Sequence, residues 1–264
     1  MPRAHSPGKP APARSRIESR KRWRRSQLLK GLRELEPCVV VMEACGTAHH
    51  WGREIRKLGH EVLLIAAHRV SPYRHGQKND ATDAMAILEA SYRADLKPVA
   101  VKSEAQQRLQ SVYVVRRRLL SHRTALSNQI RGLLAEFGYV LPKGLGVVRR
   151  RLPELIEQLH PELARLMRSE YEELSDLDAR IDAVTRQLEE MAAANDGCRR
   201  LMKLPGIGAI TAALLVAHCC PAAYRNGRNY SAVLGLVPRQ HSSGDRVRLS
   251  RITRTGRINP QTGT

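Results

Sequence analysis

Residues 37–66 have the sequence PCVVVMEACGTAHHWGREIRKLGHEVLLIA, and the pattern in this stretch decides the fold class. A continuous apolar run after Pro37 and a second run at residues 61–66 each predict a buried strand, because both faces of such a strand are covered. Residues 48–59 lie between them and predict a helix that ends at Gly59. A strand, a helix and a strand with short connections predict a parallel pair with a right-handed crossover.

Long helical segments follow this α/β part. Apolar residues recur at intervals of three and four over residues 104–136 and again over residues 152–194. This spacing favours an antiparallel helical pair or coiled coil, and an ordinary helical bundle fits it as well. We therefore expect four parts: a basic disordered tail at residues 1–25, an α/β domain at 26–103, a helical region at 104–196 and a small helical domain at 197–264.

The formal net charge of the 264-residue chain is +20, from 45 Lys and Arg against 25 Asp and Glu. Most of the excess lies at the ends, with +9 in residues 1–30 and +7 in residues 225–264. Such a charge predicts a polyanionic partner, nucleic acid first and an anionic membrane second. No apolar run reaches the ~18 residues of a membrane span, and no secretory signal is expected. Five scattered cysteines favour a reducing compartment over a disulfide framework.

Three carboxylates are the first candidates for chemistry. Glu43 ends the first predicted strand, at the sheet edge where sites form in α/β folds. Asp80 and Asp83 are three positions apart at the start of a helix capped by Asn79 or Asp80, so both can face one side. Three converging carboxylates repel one another unless a cation intervenes, and hard oxygen ligands suit Mg²⁺, which supports phosphoryl transfer. Helix capping and a favourable contact with the helix dipole are the simpler roles for the two aspartates.

Two segments near the C-terminus combine residue types that act on nucleic acid. Pro-Gly-Ile-Gly at residues 205–208 is like the hairpin of helix-hairpin-helix modules, whose glycines bring backbone N–H groups to a phosphate; a plain turn fits as well. Ser242 and Ser243 lie between arginines, where a serine can attack a phosphodiester, although most loop serines are only structural. The candidate nucleic-acid-binding residues are Gly206, Gly208, Arg239, Arg246, Arg248 and Arg251.

Five motifs follow one another in a characteristic order and spacing. Together they resemble the DEDD-type insertion-sequence transposases of insertion-sequence family 110/1111, which are related to Piv-type DNA invertases. The resemblance covers about residues 26–257. The motifs are MEACGTAHHWGREIRKLGHEVLLIA from Met42, KNDATDAMAILEA from Lys78, RTALSNQIRGLLAEFG from Arg123, LPGIGAITAALL from Leu204 and LGLVPRQHSSG from Leu234.

The resemblance implies a RuvC-like domain of the RNase H fold with an Asp-Glu-Asp-Asp metal site. It also implies a coiled-coil pair for dimerisation and a C-terminal domain with a nucleophilic serine. The family's Glu corresponds to Glu43, its Asp pair to Asp80 and Asp83, and its serine to Ser243, with Ser242 the competing choice. Further implications are two Mg²⁺ ions, oligomers on DNA, a guide RNA from the element, no membrane, and a cytoplasmic, nucleoid-associated protein.

The sequence departs from the family at both ends. Residues 1–25 contain no Asp and no strand pattern, so we expect a truncated chain whose RuvC-like domain is incomplete and lacks the first strand with its Asp. Three hypotheses follow. The first is a transposase that cleaves and exchanges DNA strands with Mg²⁺. The second is a catalytically dead remnant that binds nucleic acid, and the third is a resolvase-like nuclease that uses water in place of Ser243.

Overall fold

The computed structural model describes residues 21–74, 79–93, 96–218, 226–241 and 248–252. The chain divides into two compact units, one up to residue 103 and the other from residue 104 onward. The first unit mixes helices with a parallel strand pair, and the second is mostly helical. At this level, the expected combination of an α/β part with an all-α part is confirmed. No helix in the described ranges is long and apolar enough to cross a membrane.

The first unit contains the predicted strand–helix–strand arrangement. The two strands pair in parallel, and Glu43 at the end of the first lies opposite Ile65 at the end of the second. Both strands therefore end at the same edge of the sheet. The elements are α1 (Leu28–Arg33), β1 (Val39–Glu43), α2 (Ala48–Lys57), β2 (Glu61–Ile65), α3 (Ala67–Val70) and α4 (Asp80–Ser91).

Two separate cores cover the two faces of this sheet, because successive side chains of a strand point to opposite faces. Leu64 of β2 packs with Ile55 of α2 in one cluster. Its neighbour Ile65 packs with Ala86 of α4 in the other. All four side chains are completely buried. The alternation along β2 thus fixes α2 on one face and α4 on the other.

A buried histidine fastens α1 to the start of the sheet. His60 is 4% exposed, and its Nε2–H donates to the carbonyl oxygen of Leu32 at 2.9 Å. Its Nδ1 accepts the backbone N–H of Cys38 at 3.2 Å. An imidazole that donates at one nitrogen and accepts at the other is neutral. The ring therefore joins three segments of the first unit by hydrogen bonds.

The structure differs from the predicted basic tail at its last residues. A Cβ at Gly31 would lie 2.6 Å from the indole of Trp23, and the guanidinium of Arg25 lies 5.3 Å from the centre of the Trp51 ring. These close aromatic contacts show that ordered packing begins before residue 26. The remainder of the predicted tail, residues 1–20, lies outside the described residues.

The second unit is built on two long antiparallel helices, α5 and α7. Arg116 of α5 donates to Thr185 of α7, and Arg123 donates to Asp178, so residue numbers rise on one helix as they fall on the other. The antiparallel helical pair predicted from the spacing is confirmed. The elements of this unit are α5 (Glu104–Glu136), α6 (Leu145–Ile156), α7 (Pro161–Ala194), α8 (Asp196–Met202), α9 (Ala209–His218), α10 (Gly227–Val233), β3 (Pro238–Gln240) and β4 (Leu249–Ile252).

The single helical stretch predicted over residues 152–194 is wrong, because the structure has two helices there. The first, α6, ends at Ile156, and α7 begins at Pro161 after an extended His160. Proline favours an extended residue before it and lacks the N–H that a continuing helix needs. The resulting turn lets Arg149 of α6 pair with Asp178 of α7, the same carboxylate that Arg123 contacts.

The segment between β2 and α4 begins with ordered structure. Its first half continues α3 and forms a 3₁₀ turn at Ser71–Tyr73. Pro72 lies in the first turn of this short helix, where a fixed φ and a missing N–H are tolerated. The turn places Arg74 directly after ordered structure, while residues 75–78 are outside the described ranges.

His49 gives the first unit a pH-dependent stability. Its Nδ1 accepts the backbone N–H of Lys102 at 3.2 Å. Burial, followed by the charges of Lys102 and Arg53, lowers the pKa of His49 from 6.5 to about 4. The unfolded chain therefore binds the proton more readily than the folded chain. This contribution to stability is complete above pH 6.5 and is lost progressively as the pH falls towards 4.

We predict that the free energy of unfolding falls more steeply between pH 7 and pH 5 in the wild type than in His49→Asn, which does not titrate there. Urea denaturation followed by tryptophan fluorescence checks this, since both tryptophans, Trp23 and Trp51, lie in the first unit. The exposed His68 offers the matched control, and His68→Asn is expected to keep the wild-type slope. Equal slopes in wild type and His49→Asn would contradict the prediction.

Candidate functional site

Glu43 is the last residue of β1 and lies at the carboxyl-terminal edge of the strand pair. The N–H of the next residue, Ala44, donates to the carbonyl oxygen of Ile65 at 2.7 Å, so the end of the strand is held in place. The Glu43 side chain is 18% exposed. A carboxylate in this position is shielded from most of the solvent and still open to a ligand.

The first turn of α4 carries the two predicted aspartates. The side chain of Asn79 accepts the backbone N–H of Thr82 at 2.9 Å, which makes Asn79 the N-cap. The sequence left the cap open between Asn79 and Asp80, and the structure selects Asn79. The carboxylates of Asp80 and Asp83 are therefore available for other partners, near the positive end of the helix dipole.

One arginine joins Glu43 to Asp83. The Nη2 of Arg74 lies 2.6 Å from a carboxylate oxygen of Glu43, and its Nε lies 3.0 Å from a carboxylate oxygen of Asp83. These two nitrogens belong to one planar guanidinium, so the two carboxylates converge on a single positive charge. Both carboxylates could be identified from the sequence, whereas Arg74 could not. The only signal was the basic composition of residues 68–79.

The carboxylate of Asp80 has a different partner. It lies 3.3 Å from Nη2 of Arg22, and both side chains are about nine-tenths exposed. An ion pair this exposed contributes little to stability. The structure therefore brings two of the three predicted carboxylates together and leaves the third in solvent. Within the described ranges, no group of three His, Cys, Asp or Glu side chains is arranged to hold a metal ion.

The Glu43 and Asp83 pair nevertheless suits one divalent cation. Mg²⁺ is commonly held by one or two carboxylates, with water and substrate phosphate completing its shell. The two side chains supply only hard oxygen donors, the type that Mg²⁺ prefers. Their oxygens already converge on a cationic group, Arg74. The donor chemistry of this pair therefore suits the metal.

The Pro-Gly-Ile-Gly segment forms a tight turn between α8 and α9. Gly206 has a φ of +83°, a conformation that glycine adopts without strain. The N–H of Ile207 donates to the carbonyl oxygen of Leu204 at 3.2 Å. The carbonyl oxygen of Gly208 accepts the N–H of Ala212 at 2.9 Å and so begins α9. Both glycines are exposed at the surface.

Three exposed cationic residues precede this turn, Arg199 and Arg200 in α8 and Lys203 directly after it. They line one shallow cleft together with Asp196, which pairs with Arg199. The sequence analysis missed these cations, because basic residues in a short helix are common. Their position beside the exposed glycines is the feature that distinguishes them.

A short antiparallel ribbon is formed by β3 paired with β4. Two of the predicted nucleic-acid contacts, Arg239 and Arg251, lie in its strands, and a third, Arg248, directly precedes β4. The N–H of His241 donates to the carbonyl oxygen of Arg248 at 2.9 Å and extends the pairing. Arg239, Arg248 and Arg251 are all exposed. The predicted nucleophile Ser243, its competitor Ser242 and the predicted contact Arg246 lie outside the described residues.

Two family models match the chain. Residues 8–138 match the DEDD transposase model of the IS110 family, and residues 198–260 match the transposase model of the IS116/IS110/IS902 family. The first match includes Glu43, Asp80 and Asp83, and the second includes the glycine turn and the ribbon. The two matches occur in the order that the sequence motifs predict.

Comparisons with individual relatives agree with these matches. A probable family 20 transposase of Pseudomonas aeruginosa is 43% identical over 246 residues, which are 91% of this chain and 73% of the relative. The transposase of IS1111A from Coxiella burnetii is 37% identical over 90% of this chain and 67% of the relative. The transposase of IS1328 from Yersinia enterocolitica is 38% identical, with 90% and 72% covered. The chain therefore belongs to the IS110 family of insertion-sequence transposases, in which DNA binding and cleavage are general and divalent metal ions are generally required.

Proposed function

We propose that this chain cleaves and exchanges DNA strands at a centre in which Glu43 and Asp83 hold Mg²⁺. The main support for the proposal is that Arg74 forms ion pairs with both Glu43 of β1 and Asp83 of α4. The two carboxylates therefore already lie around one positive charge. Asp80 serves as a third ligand, because its exposed side chain lies one helical turn before Asp83 and can rotate without disturbing the core. A parallel pair covered by helices on both faces supports a RuvC-like domain over residues 26–103.

The protein groups have distinct tasks in this mechanism. Glu43 and Asp83 would hold the cation at the strand edge, and Mg²⁺ bound there would supply positive charge to offset that of the phosphate. The hydroxyl oxygen of Ser243 forms a bond to phosphorus and displaces one ester oxygen. The released strand end leaves as an alcohol that carries the proton lost by the serine. Arg239, Arg248 and Arg251, with Arg246, offset the charge that develops on the phosphoryl oxygens.

The DNA partners are the ends of the element and the target, and the turn at Gly206 and Gly208 binds a phosphate. Arg200 and Lys203 support this role, because exposed cations beside accessible backbone N–H groups favour phosphate contacts. A guide RNA is the second nucleic-acid partner, and the long helices α5 and α7 provide the surface for a homo-oligomer. This activity on chromosomal DNA places the protein in the cytoplasm with the nucleoid.

Removing either carboxylate tests the metal centre. We expect Glu43→Gln and Asp83→Asn each to weaken Mn²⁺ or Mg²⁺ binding, measured by calorimetry, and DNA cleavage by about 100-fold or more, because each removes a charged oxygen ligand. The exposed Glu89 on the same helix provides the matched control, and Glu89→Gln should leave both measurements unchanged. If Glu43→Gln and Asp83→Asn both still bound the metal as the wild type does, Glu43 and Asp83 would not be its ligands.

The serine is tested by trapping the covalent protein–DNA intermediate on a denaturing gel. Ser243→Ala is expected to abolish the trapped complex and strand exchange, because the bond to phosphorus no longer forms. Ser242→Ala, one residue away, is the control and should keep both. If Ser243→Ala still cut DNA with divalent metal and formed no covalent complex, a nuclease that uses water would replace the proposed mechanism.

The phosphate site at the glycine turn predicts a change in salt dependence. We expect Arg200→Gln and Lys203→Gln each to reduce the slope of log affinity against log salt by about 1 for duplex DNA, since each removes one phosphate contact. The exposed Arg165 of α7 supplies a control of the same charge change, and Arg165→Gln should keep the slope. Unchanged slopes in both test variants would place the phosphate contacts elsewhere.

A further inference from the structure

We infer that Arg74 is a built-in competitor of the divalent cation, and that the site holds the metal only after Arg74 has released Glu43 and Asp83. This inference rests on the proposed metal centre and adds a residue that tunes its affinity. It identifies Arg74 as a positioning residue, because it acts on the two carboxylates and not on the DNA.

Arg74 and the cation would compete for the same two carboxylates. Arg74 contacts Glu43 through Nη2 at 2.6 Å and Asp83 through Nε at 3.0 Å. A divalent ion held by both side chains must bind oxygens of the same two carboxylates. A guanidinium that remained there would place a single positive charge against a double one at short range, which is strongly unfavourable.

The charge balance explains why an arginine is suited to this position. Two carboxylates at one sheet edge repel each other, and the guanidinium supplies one positive charge between them. The trio keeps a net charge of −1, whereas a divalent ion in place of the guanidinium gives zero. Arg74 thus keeps the two side chains together and leaves the site attractive to a cation of higher charge.

Partial exposure makes this exchange possible. Arg74 is 36% exposed, Asp83 is 31% exposed and Glu43 is 18% exposed, so water and ions reach the contact mainly on the Asp83 side. Ion pairs that are open to solvent are individually weak, and breaking them costs little. A buried pair of the same geometry would resist exchange, because its partners would be left uncompensated.

Calorimetric titration of Mn²⁺ into the full chain tests the inference. Arg74→Gln is expected to bind Mn²⁺ about five-fold more tightly than the wild type, because the competing ion pairs are removed. Arg74→Lys keeps the charge and loses the planar edge that spans both carboxylates, so its affinity should fall between the two. Lys57, paired with Glu54 at 2.7 Å, supplies the control, and Lys57→Gln should bind like the wild type.

Thermal unfolding gives a second measurement that does not depend on activity. Without metal, Arg74→Gln should melt below the wild type, because two carboxylates then lack their shared cation. Saturating Mn²⁺ should raise its Tm by more than it raises the wild-type Tm, since the tighter ligand stabilises more. If Arg74→Gln does not fold without metal, the same comparison is made with Arg74→Lys.

Each outcome decides between the inference and the metal centre on which it rests. Equal or weaker Mn²⁺ binding by Arg74→Gln overturns the competition, while loss of binding in Glu43→Gln and Asp83→Asn leaves the metal centre standing. Tighter binding that survives Glu43→Gln in the Arg74→Gln background places the metal elsewhere and also overturns the inference. Absence of Mn²⁺ binding in all variants overturns both.

Discussion

Two ionised carboxylates at one edge of a small sheet repel each other, and a positive charge between them offsets that repulsion. In this chain, that constraint connects the fold to the chemistry. Glu43 is fixed by the end of β1, and Asp83 is fixed by the packing of α4 on one face of the strand pair. Arg74 supplies the charge that lets both remain there. The proposed metal centre would therefore exchange one cation for another at this edge of the sheet.

The strands and the long helices could be predicted from the sequence because their signals are local. The apolar runs around Val40 and Val62 indicate strands that are covered on both faces. The apolar residues at intervals of three and four in α5 and α7 indicate two helices that pack along a common apolar surface. The break before α7 was missed although Pro161 gives a local signal for it. The partner of Glu43 and Asp83 could not be predicted, because Arg74 reaches them through a tertiary contact that no local sequence pattern encodes.

The second unit carries both the proposed surface for nucleic acid and the proposed nucleophile, Ser243. Its helices leave exposed cations beside the turn at Gly206 and along the ribbon that carries Arg239 and Arg251. The net charge of +20 predicts a polyanionic partner, and DNA binding is general in the IS110 family to which the chain belongs. The exposed glycines at residues 206 and 208 could be predicted from a four-residue motif. Arg200 and Lys203 could not be singled out from the sequence, because only their position beside this turn distinguishes them from other exposed cations.

Anomalous diffraction from crystals of the full chain soaked in Mn²⁺ tests the central claim most directly, because it locates the ion without reference to activity. The account predicts an anomalous peak between the carboxylates of Glu43 and Asp83, with the guanidinium of Arg74 moved away from both. A peak at other residues, or Arg74 still bridging the two carboxylates at saturating Mn²⁺, would contradict it.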